Sequence, residues 1–492
     1  MDRSRLLVAL AVPVVLVAAA ATVTLTAGRG DDDPDRAGGS ATTDRTGGGA
    51  DTTVAAAAST TGLGDPYYPG AGNGGYQVDR YVLDLRWDPV ARQLANVTTI
   101  EAEATEDLDS LSFDLVGMEP TQVTVDGAAA GFAREGDREL IVTPSEPLAG
   151  GDPFVAVVTA SGGPTDIDGP FPVRPGWFGE DGEIYTVFEP DGAATLFPVN
   201  DHPSDKATYE FRVTVPQDLE VAANGRLVET IPGDGVATWV YVASDPMASY
   251  LVQLAVGDLV FQESEGPGGL PIRHAIDADV AESIGGRGSA IDRSAEMIDV
   301  FDDLFGPYPF ESYGVLVVDE ALGFALETQT LPIFGIDAAT SDEIVAHELA
   351  HQWFGDQVSP ATWSDVWLNE GFATYAQWLW SDSQGRDIDA MAASTAELGG
   401  LDTPPIDPGP DDLFNATVYE RGALTLHVLR DQIGDDAFFT LLRTWLERFG
   451  GGSASTADFE ALAEEVSGAE LTPMFDAWLR EPQMPSLDGW TG

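Results

Sequence analysis

The chain has 492 residues, which is enough for two or three domains with complete hydrophobic cores. It has 23 lysines and arginines against 82 aspartates and glutamates. The resulting net charge of −59 argues against nucleic acid as a partner, because phosphate recognition requires clustered positive charge. The chain contains no cysteine, which excludes a disulfide framework and a thiolate metal site.

Residues 1–27 have the pattern of an export segment. Arg3 and Arg5 precede an uncharged stretch, residues 6–27, that is rich in leucine, valine and alanine. Because this stretch is also long enough to span a bilayer, both a cleaved signal peptide and an uncleaved membrane anchor fit the pattern. Either one predicts export of the rest of the chain, which would be secreted or held on the extracellular face of the cytoplasmic membrane.

Residues 28–74 contain mostly glycine, aspartate, threonine, alanine and proline, which predicts a disordered linker. Strand periodicity begins after it, where Tyr81, Leu83 and Leu85 occupy every second position. Short alternating runs continue to about residue 260, with glycine, proline and aspartate between them. We therefore expect an antiparallel, sandwich-like β-domain over residues 75–262.

The apolar residues of the next part of the chain recur at helical spacing. This spacing is clear between residues 289 and 305, and residues 315–318 form a predicted short buried strand. We assign residues 263–485 to a mainly helical domain and residues 486–492 to a tail. The chain as a whole is therefore predicted to have an α+β fold.

The most specific motif of the chain lies in this helical domain. His347 and His351 form a His-Glu-x-x-His pattern, and residues four apart share one helix face, so both can bind one metal ion. Glu370, which follows after eighteen residues, completes a ligand set typical of catalytic zinc, with a fourth position for water. Glu348 is placed beside that water as a general base. The pattern predicts one zinc ion per chain.

Local signals predict the two helices that carry these residues. Thr340 and Glu343 match the Thr-x-x-Glu capping box ahead of the first helix. Trp363 opens the second helix, which has to bring Glu370 towards the two histidines.

The sequence HELAHQWFGD, followed by WLNEGFA, resembles the zinc aminopeptidases of the aminopeptidase N family. The likeness extends over roughly residues 76–485 and includes a Phe-Pro…Asp-x-Pro…Lys-Ala signature at residues 197–207. It implies that a thermolysin-like, mainly helical catalytic domain follows the β-domain. The chain resembles a short form of the family, without the C-terminal helical domain.

The resemblance also implies roles for three further residues. Glu327 takes the place of the glutamate in the family's Gly-x-Met-Glu-Asn motif, which binds the amino terminus of the substrate. Glu189, in Val-Phe-Glu-Pro, is a second candidate for the same amine. Tyr419 takes the place of the tyrosine that hydrogen-bonds the oxyanion, in a segment where Arg421 replaces the family's lysine. The motif around Glu327 departs from the family at Phe324, Leu326 and Thr328.

Together these features predict a monomeric zinc aminopeptidase that hydrolyses the first peptide bond of peptides with a free amino terminus. A free α-amine is a cation near neutral pH, so its burial requires a paired acid. Two alternatives remain open: an endopeptidase or epoxide-hydrolase-like relative, and an inactive peptide-binding module of the cell envelope. Glu327 argues against a pure endopeptidase, and intact Glu348 and Tyr419 argue against a module that only binds.

Overall fold

A computed structural model describes residues 57–58, 62–170, 173–179, 182–285 and 290–487. All of them fall within one structural unit, residues 55–492. The predicted export segment and most of the predicted linker lie outside the described residues. No helix in the described part of the chain is long and apolar enough to cross a membrane.

Strands dominate the first half of the described chain, as the alternating apolar residues predict. In chain order they are β1 (Ala57–Ala58), β2 (Tyr76–Asp88), β3 (Gln93–Ala104), β4 (Leu108–Asp114), β5 (Glu119–Val125), β6 (Ala128–Ala129), β7 (Gly131–Glu135), β8 (Glu139–Thr143), β9 (Pro153–Gly162), β10 (Thr165–Asp166), β11 (Gly176–Phe178), β12 (Ile184–Val187), β13 (Ala207–Pro216), β14 (Glu220–Ala223), β15 (Arg226–Pro232), β16 (Val236–Met247) and β17 (Leu254–Gly257).

These strands form three sheets. The largest has eight strands in the order β15-β16-β13-β2-β3-β9-β5-β6, and the others have the orders β1-β4-β8-β7 and β10-β11-β12-β17-β14. Most neighbouring strands are antiparallel, but β2 runs parallel to β13 and β1 runs parallel to β4. The predicted β-domain is confirmed, with one parallel pair inside it and a second that joins it to β1, which precedes its predicted start.

The signature at residues 197–207 packs into the core of the eight-stranded sheet. The Tyr81 ring stacks on Tyr209 with ring centroids 5.1 Å apart, and Phe197 packs edge-on against Tyr81 at 5.5 Å. The Tyr81 hydroxyl accepts a hydrogen bond of 2.9 Å from the backbone amide of Asn200. The signature is therefore a packing and hydrogen-bonding element of the β-domain.

Helices dominate the second half of the described chain. In chain order the elements are β18 (Leu259–Glu265), β19 (Pro271–Asp277), α1 (Ala278–Gly285), α2 (Ser294–Phe305), β20 (Leu316–Val318), β21 (Ala325–Leu326), β22 (Ile333–Gly335), α3 (Asp342–Ala350), β23 (Val358–Pro360), α4 (Trp367–Ser383), α5 (Ile388–Ala396), α6 (Gly422–Ile433), α7 (Asp435–Phe449), β24 (Gly452–Ala454), α8 (Thr456–Ser467) and α9 (Thr472–Phe475).

The predicted boundary between residues 262 and 263 lies inside a hairpin and is therefore wrong. Strands β18 and β19 pair along their whole length. On its other side β19 pairs with β20 in parallel, within a sheet of order β18-β19-β20-β22-β21. This sheet belongs to the mainly helical domain, whose first strand, β18, begins at Leu259. The error arose because β18 continues the alternation of the preceding strands.

The end of the predicted linker is also wrong, because residues 62–74 belong to the folded unit. Asp65, Ala71 and Asn73 are buried. The backbone amide of Asn73 donates to Asn200 Oδ1 at 2.5 Å, so the segment is held by backbone hydrogen bonds rather than by an apolar run. A glycine-rich composition does not reveal contacts of this kind.

The N-cap of helix α3 lies one residue after the predicted N-cap. Ser341 is the N-cap, and its hydroxyl accepts a hydrogen bond of 3.3 Å from the amide of Ile344. The predicted cap, Thr340, instead donates its hydroxyl to the Asp337 carbonyl at 2.9 Å. Glu343 binds Arg386 and does not close a capping box.

Arg421 joins the end of the chain to the helical core. Its fully buried guanidinium donates to six backbone carbonyls, those of Leu401, Thr403, Ala477, Trp478, Glu481 and Pro482. A lysine has three donors and no planar fork, so it cannot replace this set. This explains why arginine serves at this position.

We expect Arg421→Ala to lower the free energy of unfolding by roughly 3 kcal/mol or more, because it leaves several buried carbonyls unpaired. Arg443→Ala is the control, since Arg443 makes one exposed hydrogen bond to the Asp303 carbonyl. Urea unfolding of both variants measures the difference. An equal, small loss in both would contradict the structural role given to Arg421.

Candidate active site

Three side chains with metal-ligand atoms converge where α3 meets α4. The Nε2 atoms of His347 and His351 lie 3.2 Å and 3.5 Å from the same oxygen, Glu370 Oε2. All three residues are buried, and their ligand atoms lie within 4.8 Å of one another. Two imidazoles and one carboxylate form a donor set that suits zinc, so the residues present fit the predicted metal.

Contacts behind the ligands fix the tautomer of His351. Its Nδ1 lies 3.1 Å from the backbone carbonyl of Phe354, to which an Nδ1–H can donate. In the neutral imidazole the Nε2 lone pair then faces the other ligands, which is the arrangement that metal-binding histidines use. Gly355, at φ 125°, allows the turn, because an added Cβ would lie 3.1 Å from Asn369 and 3.4 Å from His351 Nδ1.

The charges around the ligands favour a bound cation. Burial would raise the pKa of Glu370, but His351 and His347 lower it to about 2, so the carboxylate is ionised. Burial would lower the pKa of His351, but Glu327 and Glu370 raise it to about 10. The protein has therefore placed more buried negative charge here than the histidines neutralise without taking up a proton.

Glu348 lies next to the first ligand and close to the second. It forms a group of potential ligand atoms within 4.8 Å of one another together with Glu327 and His351. Burial raises the pKa of Glu348 well above its usual range. A divalent cation beside it would lower that pKa again, which suits a group that has to accept a proton.

Two buried carboxyl groups beside the ligands each have one oxygen without a hydrogen-bond partner. Oxygens of Glu189, Glu327 and Glu370 fall within 4.8 Å of one another. Within the described chain, no hydrogen-bond partner reaches Oε1 of Glu189 or Oε1 of Glu327. Burial raises the pKa of Glu327 to about 7, and burial together with Glu327 raises the pKa of Glu189 well above its usual range. Both oxygens are acceptors for an external donor.

The backbone around Glu327 is hydrogen-bonded to Gln352, which directly follows the histidines of α3. The Gln352 side-chain amide donates to the Glu327 carbonyl at 3.1 Å and accepts from the Thr330 amide at 2.8 Å. From the β-domain, Asn224 donates to the Gln329 carbonyl at 2.6 Å. Glu327 is therefore held in place by both domains.

Tyr419 lies on a π-helical turn, Thr417–Arg421, that leads into α6. Its ring stacks on His347 with centroids 5.9 Å apart and an interplanar angle of 19°. Burial raises the pKa of Tyr419 well above its usual range, so its hydroxyl stays protonated and can donate. The structure thus brings all seven predicted site residues into one cluster.

Two structural supports of the cluster were missed by the sequence analysis. Gly371 and Gly422 meet where α4 crosses α6, and a Cβ added to Gly371 would lie 2.9 Å from the Cα of Gly422. Lys206, the only lysine of the chain, reaches from the β-domain and donates to the carbonyls of Asp356 and Gln357 behind α3. Both supports had a signal in the sequence. The glycine directly after Glu370 pointed to the helix crossing, and the only lysine of the chain lay within the signature at residues 197–207.

Comparison with known proteins decides the family. The Peptidase family M1 domain is matched over residues 289–478 and the Peptidase M1 N-terminal domain over residues 169–251. A crystal structure of the M1 zinc metallopeptidase from Deinococcus radiodurans is 34% identical with a TM-score of 0.81, over 87% of this chain and 98% of that chain. The chain belongs to peptidase family M1. The resemblance found in the sequence is thereby confirmed at the level of the family.

Other relatives of this M1 chain are longer proteins. Aminopeptidase M1-A from Oryza sativa subsp. japonica is 29% identical over 337 residues, which cover 62% of this chain and 37% of that protein. Glutamyl aminopeptidase from Bitis rhinoceros is 28% identical, over 63% of this chain and 36% of that protein. The M1 chain spans little more than a third of the length of these curated relatives. A mutant of the Deinococcus metallopeptidase with glutamate changed to alanine is known bound to a Tyr-Ser-Ala substrate, again at 34% identity.

We expect Gly371→Ala to destabilise the M1 chain by roughly 1–3 kcal/mol, because the new methyl group overpacks the α4–α6 crossing. Helix propensity alone predicts the opposite sign, a gain of up to about 1 kcal/mol. Gly399→Ala is the control, since nothing lies within 4 Å of a Cβ at Gly399. Chemical unfolding gives the sign, and a more stable Gly371→Ala variant would refute the close approach.

Proposed function

We propose that this M1 chain is a zinc-dependent aminopeptidase, which hydrolyses the first peptide bond of peptides with a free amino terminus. The observation that carries the proposal is the pair of buried, unpartnered oxygens of Glu189 and Glu327 beside the three ligand residues. A substrate ammonium would give these acceptors the donors and the positive charge that they lack.

His347, His351 and Glu370 would hold one zinc ion in a monomeric protein. When bound, zinc supplies Lewis acidity, which polarises the scissile carbonyl and lowers the pKa of water. Their Nε2 and Oε2 atoms already face one another, and the Phe354 carbonyl orients the second histidine. Little rearrangement is needed to bind the ion.

Glu348 acts as the general base and then as the general acid. Its carboxylate takes a proton from the attacking water and later delivers it to the leaving amine. Tyr419 acts on the other side of the reaction centre, where its protonated hydroxyl donates a hydrogen bond to the oxyanion of the tetrahedral intermediate. Glu348 thus moves protons while Tyr419 stabilises charge.

Glu327 and Glu189 set the position of cleavage. When both bind the substrate ammonium, the first carbonyl of the peptide falls next to the ligand residues and any later carbonyl lies farther away. A site that binds the amine in a buried, charged subsite favours an aminopeptidase over an endopeptidase. Phe324, where the family has glycine, lies partly exposed ahead of Glu327 and would narrow the choice of side chain.

Export stays a prediction of the sequence alone. The apolar stretch at residues 6–27 and the acidic linker support a secreted or membrane-anchored enzyme on the extracellular side. This location would give the enzyme access to peptides outside the cell.

We expect Glu348→Gln to lower kcat by roughly 10²- to 10⁴-fold, because an amide has the size of the carboxylate but cannot accept the proton. Bound zinc, measured by elemental analysis, should stay at one ion per chain. Glu343→Gln, on the exposed face of the same helix, is the control and should leave kcat unchanged. Undiminished hydrolysis by Glu348→Gln would refute the mechanism.

We expect amino-acid arylamides with a free amine to be cleaved at least about 30-fold faster than the same compounds after N-acetylation. Acetylation removes the cation and leaves buried carboxylates unpaired, which costs about 2 kcal/mol or more. Glu327→Gln should reduce this preference. Equal cleavage of free and acetylated substrates by the unmodified protein would point to an endopeptidase, and cleavage of neither would favour a module that only binds peptides.

A further inference from the structure

The residues directly before the β-domain form a small closed loop, which we call the strap (residues 62–75). Within it, the Gly62 amide donates to the Gly72 carbonyl at 2.9 Å, and the Ala71 amide donates to the Tyr68 carbonyl at 2.9 Å. The end of the strap is fastened to the β-domain, where the Gly72 amide donates to Asp114 Oδ2 at 3.1 Å. The strap therefore has a defined shape and a fixed base.

Asp65 fastens the other end of the strap to the catalytic domain. Its Oδ1 accepts hydrogen bonds from the amides of Tyr67 and Tyr68 at 2.7 Å and 2.9 Å. Its Oδ2 accepts from the Trp363 amide at 2.8 Å and lies 3.5 Å from His202 Nε2 of the β-domain. One buried carboxylate thus joins the strap, the β-domain and the turn that leads into α4, the helix of Glu370.

Two tyrosines of the strap reach the loop at residues 401–416. The Tyr67 hydroxyl donates to Asp407 Oδ1 at 3.0 Å and accepts from the Gly409 amide at 3.2 Å. The Tyr68 hydroxyl lies 3.5 Å from the Pro410 carbonyl oxygen, and its ring packs edge-on against Trp363 with centroids 6.3 Å apart. Both tyrosines therefore hold one short stretch of this loop.

That stretch leads directly to Tyr419. Leu413 and Phe414, which follow it, are buried. Thr417 is the first residue of the π-helical turn, and its amide donates a hydrogen bond of 2.8 Å to Asn415 Oδ1. Burial, and then the charges of Asp191 and Glu189, raise the pKa of Tyr68, so its hydroxyl stays protonated and can donate to the Pro410 carbonyl. The strap thus holds the segment of chain that enters the π-helical turn of Tyr419.

We propose that Tyr67 and Tyr68 are positioning residues, which hold the loop at 407–410 and thereby keep the Tyr419 hydroxyl in place for the oxyanion. This inference rests on the proposed function, because it acts through the role of Tyr419 in hydrolysis. The strap is then a working part of the catalytic centre, although it precedes both domains in the sequence. Its removal together with the preceding linker would impair the enzyme.

The test compares the Tyr67→Phe/Tyr68→Phe double variant of the full chain with the unmodified protein, on a free-amine arylamide. We expect kcat to fall about tenfold to a hundredfold, the range for a displaced catalytic group, with KM and zinc content nearly unchanged. Asp65→Asn, which weakens the same attachment, should change kcat in the same direction. Tyr76→Phe is the control, since it also loses one buried hydrogen bond, to the Ser112 carbonyl at 2.6 Å, but lies in the β-domain core.

A second background separates positioning from a general loss of structure. In Tyr419→Phe the hydroxyl to be positioned is absent. Adding the double substitution to this variant should therefore lower its kcat by less than about threefold. The role of the strap would be overturned, with the proposed function left intact, by an unchanged kcat in the double variant. The same would follow if the double substitution lowered kcat by the same factor in the Tyr419→Phe background as in the unmodified protein. Unchanged kcat in Tyr419→Phe by itself would instead overturn the oxyanion role in the proposed function, and this inference with it.

Discussion

An excess of buried carboxyl groups over buried basic groups governs this structure. Five carboxylates lie buried around the junction of the two domains and interact with one another. They belong to Glu189, Glu327, Glu348, Asp356 and Glu370. In the described part of the chain two histidines and one lysine are the basic groups beside them, and burial raises the pKa of Glu189, Glu348 and Asp356, so these acids ionise most readily beside a cation from outside. The metal ion and the substrate ammonium of the proposed function would both meet that requirement, so the arrangement that costs stability would also be what binds them.

The same junction explains why the β-domain is part of the catalytic unit. Glu189 comes from the β-domain, while Asn224 extends from it to the turn between β21 and β22, and Lys206 extends to the loop after α3. The strap adds a third connection through Asp65. A substrate pocket at such a boundary depends on the relative position of two bodies, and the hydrogen bonds across it are what fix that position.

The sequence predicted that the three candidate ligands meet, because their geometry is local. His347 and His351 are fixed by helical spacing, and Glu370 lies at a spacing that one turn and one more helix can bridge. The role of Arg421, the contact of Gly371 with Gly422 and the attachment of the strap depend on residues far away in the sequence. Composition indicated a linker up to residue 74 because polar segments held by backbone hydrogen bonds resemble disordered ones. Periodicity misplaced the domain boundary at residue 262 because one strand continues the pattern of the domain before it.

The environment of Lys206 has a practical consequence for chemical labelling. Because it is the only lysine of the chain, reagents that acylate ε-amines have a single side-chain target. Burial lowers the pKa of Lys206 to about 7, so much of the amine is unprotonated at neutral pH and reactive once a reagent reaches it. Access requires separation of the β-domain from the loop after α3. The rate of acylation therefore reports how often the two domains part, without any engineered probe.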